Sequence, residues 1–345
     1  MHVFLTHQSF MRVINFFLVA WCVSNFAISV HADQLERSNI TIAVGGKATL
    51  YYLPLTIAEQ KGFFSDEGLE VEILDFPGGS KALQALMGGS ADVVSGGYDH
   101  TIMMQTRRQS LRAFVVQGQT PAISLVISKK REKDWRDTSS LRGWKIGVTS
   151  PGSSTNMFVR ALLAQSNLSV DDVSIIGVGT GQSAIAAISA GHIDALANVE
   201  PAITILLESG RAVEVAETIS VEGSKKVYGS ALPTASLYTK EEFLVANPNV
   251  IAAMTRAMVS ALRWLNLASD QQVIDIVPEA YLMKDVALYR AALRRQRPNY
   301  SVTGRFSKDG PFAVVESLSR FNELDKQKIN VQATFTNQFV DDALK

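Results

Sequence analysis

The sequence of 345 residues balances 33 Lys and Arg against 33 Asp and Glu, and this net charge of zero argues against a nucleic-acid-binding surface. Its length allows two domains, and 47% hydrophobic residues suffice for a large core, which argues against a disordered chain.

The first 32 residues contain no Asp or Glu and a single base, Arg12, followed by the apolar run Val13–Val23 and the small-residue boundary Val30-His-Ala32. This is the order of a cleaved secretory leader, with cleavage near Ala32; Met11 offers a second start and a shorter leader. A membrane anchor is the competing reading, but the run falls short of the roughly 20 residues that a span needs, and Asn15, Ser24 and Asn25 interrupt it. The only Cys, Cys22, lies in this leader, and Val19-Ala-Trp before it lacks the small residue expected ahead of a lipidated Cys. The mature chain then has no thiol for disulfides or nucleophilic catalysis, which suits an oxidising compartment such as the periplasm. It keeps His100 and His192, a poor supply for a zinc site or a Ser-His-Asp triad, so no metal, cofactor or catalytic residue is expected.

After the leader, Ile40–Val44 is a strand by composition, Tyr52–Lys61 a helix, Leu69–Leu74 an alternating strand, Lys81–Met87 a helix and Ala91–Ser95 a strand. The same β-α-β-α-β order recurs at Lys145–Val148, 154–166, Val173–Ile176, Ser183–Ser189 and Ile193–Ala197. Gly79–Asp92 lies on Gly181–Asp194 at one offset of 102 residues, with Gly79/Gly181, Ala82/Ala184, Ala85/Ala187, Gly89/Gly191 and Asp92/Asp194 identical. Two similar lobes are therefore expected. Pro121–Ser128 would leave the first lobe and Ser230–Tyr238 return to it, giving two crossings and a cleft. Beyond residue 240 the chain reads as helical, most clearly at Val250–Ala268 with Ile251, Met254, Met258, Leu262 and Leu265 on one face.

Ligands of open α/β sheets sit beyond the carboxyl ends of the strands, so the residues after each strand are the candidates. They are Gly45 and Gly46 with Tyr51 after the first strand, and Ser80 after the second, where it reads as a helix N-cap with or without a ligand contact. Gly96, Gly97 and Tyr98 follow the third; Asp99 reads as an N-cap and His100 as structural. In the second lobe the stretch TSPGSSTN places Ser153, Ser154 and Thr155 where a strand passes into a helix. A helix start with spare N–H groups and added hydroxyls can bind an oxyanion without Arg or Lys, and the Gly-Lys-Ser/Thr of a nucleotide phosphate loop is missing. The other reading is a capped turn alone. Asn198 and Glu200 end the last strand, and Glu200 is the one carboxylate expected in the cleft, where it would accept from a ligand N–H or orient a neighbouring donor.

The stretch Tyr52–Val71 (YLPLTIAEQKGFFSDEGLEV), together with Ala82–Asp92 and Leu141–Ser154, resembles the nitrate/taurine/aliphatic-sulfonate family of ABC-transporter substrate-binding proteins, which also covers proteins for thiamine-pyrimidine precursors. The similarity spans roughly residues 39–240. It implies the type II periplasmic binding fold, two α/β lobes joined by a two-strand hinge around a ligand cleft. The lobes would be 33–122 with 228–345, and 123–227. It implies ligand contacts from Gly45, Gly46, Leu50, Tyr51, Ser80, Gly97, Tyr98, Gln119, Thr120, Ser153, Ser154, Thr155, Asn198 and Glu200, of which Gln119 and Thr120 come mainly from the resemblance. The family also includes a pyrimidine synthase with a cysteine-rich motif, which the mature chain lacks.

The expected function is a monomeric periplasmic receptor that hands a small anion, of the sulfonate, nitrate or aromatic carboxylate class, to an inner-membrane permease with its ATPase. No Arg is identifiable in the candidate loops to clamp a sulfonate or carboxylate, which points to a ligand with a flat or apolar body and an anionic head. The alternatives are a receptor for a thiamine-precursor pyrimidine, a periplasmic sensing subunit, and an enzyme such as a lyase or isomerase on the same fold. The leader and the scarcity of His argue against the enzyme.

Overall fold

The computed structural model describes residues 34–321 and 324–345; the expected leader with Cys22 lies outside them. The strands are β1 (Asn39–Val44), β2 (Glu70–Asp75), β3 (Val93–Gly97), β4 (Leu111–Val116), β5 (Ser124–Ser128), β6 (Lys145–Val148), β7 (Ser174–Gly177), β8 (Ala195–Asn198), β9 (Ala212–Glu217) and β10 (Ala235–Lys240). The α-helices are α1 (Leu53–Gln60), α2 (Phe63–Asp66), α3 (Gly79–Met87), α4 (Asp99–Gln105), α5 (Ser154–Gln165), α6 (Gly181–Ser189), α7 (Ala202–Glu208), α8 (Val221–Tyr228), α9 (Glu241–Ala246), α10 (Pro248–Leu267), α11 (Asp270–Ile276), α12 (Val286–Gln296), α13 (Gly310–Phe321) and α14 (Gln338–Ala343).

The strands form two sheets of five, in the orders β2-β1-β3-β10-β4 and β7-β6-β8-β5-β9. The two orders are the same design. Three parallel strands are followed by one strand antiparallel to both its neighbours, β10 in the first sheet and β5 in the second. The chain passes between the sheets twice, through residues 117–123 and 218–234. The two passages are bonded to each other, Ala122 N to Thr218 O at 3.0 Å and Thr218 N to Ile123 O at 2.8 Å.

The sequence echo has a structural counterpart. Gly79 and Gly181 each open a nine-residue helix, α3 and α6. Asp92 accepts from Thr41 N at 2.9 Å and from Arg37, and Asp194 accepts from Lys145 N at 2.9 Å and from Arg131. Each Asp thus ties the loop before one strand to the start of its neighbour, a role that needs a carboxylate and explains its place in both halves.

Burial follows the strand pattern. β3 and β5, covered on both faces, are uniformly apolar or small and wholly buried, while the edge strand β2 alternates between half-buried and exposed positions. β4, which the sequence reading missed, is also an edge strand, but the C-terminal segment covers it through Thr336 N to Ala113 O at 2.8 Å. α10 begins on Pro248, which loses nothing at a first helical position, and buries Ile251, Met254, Met258, Leu262 and Leu265, each worth roughly 1.5–3 kcal/mol. The C-terminal segment does not stay with the first sheet. Met283 and Leu288 pack against the smaller core of the second half, which includes Val126, Ile185, Leu196 and Leu206.

Candidate functional site

The carboxyl ends of the strands of both sheets meet at a cavity of about 30 Å³. Gly45 lines it after β1, Gly79 after β2 and Gly97 at the end of β3; Tyr51 and Tyr52 come from the 3-10 turn Leu50–Tyr52. The second half supplies Thr149, Ser153, Ser154 and Thr155 after β6, Val199 after β8, and Ile123 from the crossing. A volume of this size holds about two waters. The walls touch around it: Ser80 Oγ lies 2.6 Å from Ser150 Oγ and donates to Pro151 O at 2.9 Å, and Ser154 Oγ donates to Asp99 Oδ1 at 2.7 Å. Glycine is required within the first wall, where two of its loops touch, since a Cβ on Gly45 would lie 2.3 Å from Gly79 N.

The hydroxyls form a triangle, Thr149 Oγ1–Ser153 Oγ 2.8 Å, Thr149 Oγ1–Thr155 Oγ1 2.9 Å and Ser153 Oγ–Thr155 Oγ1 2.8 Å. Ser153 donates its proton to Ser150 O at 2.7 Å, and Thr155 Oγ1 accepts from Thr149 N at 3.0 Å. The two remaining protons, of Thr149 and Thr155, can make two of the three edges, and either Thr hydroxyl can turn toward a ligand at the loss of one of those bonds. Ser153 has extended backbone and is the N-cap of α5, so the positive end of a twelve-residue helix backs the same wall.

A second cavity of about 30 Å³ adjoins the first through Ile123 and Ser154. It is mostly apolar, with Tyr228, Leu232, Pro233, Val314, Leu318 and Phe321, and holds the carboxylate of Asp99 at its margin. No Lys or Arg lines either cavity. The phenols around this centre stay protonated. Burial above all, and then the charge of nearby Tyr52 and Asp99, pushes Tyr51 well above its ordinary value, and burial does the same for Tyr228.

Of the residues singled out in sequence, Gly45, Tyr51, Gly97, Ser153, Ser154 and Thr155 line the first cavity. Asp99 lines the second, and the others line neither. Gly46 holds the turn after β1 at φ +104° and donates to Asp75 at 2.9 Å. Leu50 has its side chain in the core, and its backbone bonds Glu200 O at 3.0 Å and Tyr300 Oη at 2.8 Å. Ser80 is not the expected N-cap: α3 starts on Gly79 with Gly78 as cap, and the hydroxyl bridges the two halves instead. Asp99 is likewise not a cap but the first residue of α4. Tyr98 directs its ring onto Phe306 and its hydroxyl to Thr334 at 2.5 Å, so the side chain belongs to the core of the first half. Tyr98→Phe is expected to lower stability by about 1 kcal/mol, measured by urea unfolding, and to leave solute affinity unchanged.

Gln119 donates to Tyr300 O at 3.1 Å, and Thr120 is bound through Asn299 Oδ1 and Ile219 O, so both serve the crossing. Asn198 bonds Gly179 O and its own neighbour's N–H, orienting the loop after β8. Glu200 is fully buried, pairs with Arg295 at 3.1 Å and accepts from Thr204 N at 3.0 Å. Arg295 reaches from α12 and also pairs with Glu214. Desolvation raises the Glu200 pKa above its ordinary value, opposed by Arg295 and by the hydrogen bond from Thr204. His100 bonds Tyr238 Oη at 2.8 Å and is buried.

Sequence reasoning did not reach Tyr52, Gly79, Ile123, Thr149 and Val199 as lining residues, nor Arg295. Tyr52, Gly79 and Val199 adjoin site residues that were named, while Ile123 and Thr149 lie three and four positions from Thr120 and Ser153. Nothing local marks Arg295, which lies 95 positions after its partner. Among the described residues no group of His, Cys, Asp and Glu could hold a metal ion, and no helix is long and apolar enough to cross a membrane.

Residues 33–277 match the model of the NMT1-like family. The chain belongs to the NMT1-like family. A solved structure of a protein from Bordetella bronchiseptica RB50 is 44% identical, with TM-score 0.88 over 90% of this chain and 98% of that one. The alkanesulfonate-binding protein SsuA of Xanthomonas axonopodis pv. citri, solved bound to MOPS, is 19% identical, with TM-score 0.70 over 88% and 100%. The periplasmic nitrate-binding protein NrtA of Synechocystis PCC 6803 is 15% identical, with TM-score 0.70 over 90% and 89%. The fold is thus that of the periplasmic binding proteins. Among sequence relatives are the riboflavin-binding protein RibY of Chloroflexus aurantiacus, 23% identical over 89% of this chain and 87% of its own. Another is the 4-amino-5-hydroxymethyl-2-methylpyrimidine phosphate synthase of Aspergillus parasiticus, 25% identical over 71% and 72%.

Proposed function

We propose that this chain is the solute receptor of an ABC importer, exported by residues 1–32, which binds a small solute with an anionic head between lobes 33–122 with 228–345 and 123–227 and delivers it to a permease in the inner membrane. The observation that carries this reading is the small cavity between the strand ends of two like sheets, walled by glycines on one side and by a hydroxyl cluster at a helix start on the other. Gly45, Tyr51, Gly97, Ser153, Ser154 and Thr155 are the contacts proposed, with the head of the solute at the α5 end. The names of RibY, SsuA and NrtA agree with a binding role. A relative is named as a synthase, so the same fold supports chemistry elsewhere. Here neither His of the described chain lines the cavity: His100 bonds Tyr238 Oη through Nδ1, and His192 is exposed.

The test is thermal melting of residues 33–345 against nitrate, bicarbonate, alkane- and arylsulfonates, aromatic carboxylates and pyrimidines, with X-ray scattering to follow closure. A solute at a hundred times its Kd adds about 2.7 kcal/mol to stability, which raises the melting temperature by several degrees and compacts the chain. Steady product formation from a bound solute would sink the receptor reading. Thr155→Val removes one of the two adaptable protons and is expected to weaken that solute by roughly 1 kcal/mol in calorimetric titration.

A further inference from the structure

Asp99 stands out in the proposed cleft. The residue is 6% exposed; Oδ1 accepts from Ser154, while Oδ2 is buried without a hydrogen-bond partner. Asp99 lines the second cavity, and Ser154, which donates to its Oδ1, lines both. A buried carboxylate oxygen without a partner is costly, and proteins either pair such a group or keep it for a ligand. The protein offers it no cation, since neither cavity has Lys or Arg and Arg295 is held by Glu200 and Glu214. What surrounds it is aromatic. Its charge is felt by the phenols of Tyr51, Tyr52, Tyr228 and Tyr238. Tyr51 and Tyr52 line the first cavity, and Tyr228 with Phe321, ring centres 6.3 Å apart, the second.

A bare inorganic anion beside this oxygen would meet like charge in a poorly solvated place. A protonated nitrogen would supply the missing donor, and the faces of tyrosine rings attract it further. We infer that the solute carries a protonated nitrogen that seats on Asp99 Oδ2, with an apolar arm directed into the cavity of Tyr228, Leu232, Pro233, Leu318 and Phe321. This rests on the receptor reading and narrows its solute class. An anionic head at the α5 hydroxyls and a cationic nitrogen at Asp99 describe an amphoteric small molecule, or an amine where the head is neutral.

Three probes with one apolar arm separate the charges: phenylalanine, phenethylamine and 3-phenylpropionate, titrated against the mature chain by melting and calorimetry. The expected result is binding of one or both amines, no binding of 3-phenylpropionate, and at least a tenfold loss of amine affinity in Asp99→Asn. Binding of 3-phenylpropionate or nitrate that survives Asp99→Asn overturns the inference and leaves the receptor reading standing. Failure of all three probes overturns the inference as well, and silence of the wider solute panel would then sink the receptor reading with it. A second measurement needs no probe. Asn keeps the acceptor for Ser154 and removes the buried charge, so Asp99→Asn without solute is expected to melt a few degrees higher. An unchanged or lower melting temperature means that the carboxylate serves the fold, and overturns the inference.

Discussion

Arg295→Met is expected to destabilise the chain by about 3 kcal/mol at neutral pH, because it leaves the carboxylate of Glu200 buried without its cation. Glu200 is fully buried and held by Arg295 at 3.1 Å and Thr204 N at 3.0 Å. Its pKa in the folded chain is raised, first by desolvation, and Arg295 is the chief influence pulling it down. Removing Arg295 raises it further. A group whose folded pKa lies above its unfolded one contributes most below the unfolded value, and that contribution is lost as pH rises through the folded value. The deficit of the variant should therefore be largest near neutrality and shrink as pH falls through the raised value, so that little is left at about pH 4, just below the ordinary value of a Glu carboxyl. Urea unfolding at both pH values reads this directly. A deficit equal at the two would mean that Arg295 acts by packing and by its pair with Glu214, and the account of Glu200 would fail.

Gly78→Val is expected to lower solute affinity by at least about a hundredfold, equivalent to roughly 2.7 kcal/mol, while changing stability without solute by little. Gly78 has extended backbone, φ −176°, which any residue can adopt, so the effect is one of space. A Cβ there would lie 2.6 Å from Ser150 Oγ and 3.1 Å from Ser150 N, across the meeting of the two walls. Valine adds two methyls beyond that point. The halves keep their own cores, but the closed arrangement becomes a minor state, and apparent affinity falls with its population. The measurement is calorimetric titration with the solute that shifts wild-type melting, beside urea unfolding without it. A large loss of stability with affinity retained would place Gly78 in the folding core rather than at the closing surface.

Much of the frame was legible because it rests on local periodicity. Lys145–Val148 is a strand from the residues expected, since its apolar side chains have β propensity and Gly143 and the hydroxyl turn bound it. The echo of Gly79–Asp92 in Gly181–Asp194 became two helices for the same reason, while the two equivalent Asp ties reach strands about fifty residues earlier in the chain. Edges were less legible. β4 and β9 were missed, and β5 and β10 begin three to five residues later than read, because pairing with strands far along the chain sets where they start.

The site divides along the same line. The sequence by itself determined which loops end the strands, and so Gly45, Tyr51, Gly97, Ser153, Ser154 and Thr155 as cavity-lining residues, because a strand that passes into a helix leaves its turn at the carboxyl edge of the sheet. Only the tertiary structure decided which way the neighbouring side chains turn. Tyr98 adjoins Gly97 yet points to Thr334, and Glu200 was expected in the cleft yet is held by Arg295, because each finds its hydrogen-bond or charge partner in a segment about one or two hundred residues away. Asp99 reads in sequence as a helix cap; its buried oxygen becomes visible only when α4, α5, α8 and α13 close around it. Chain-local chemistry places a residue at the rim of a sheet, and the cost of burying polar atoms without partners then decides, through contacts no local pattern encodes, which of those residues line the cavity.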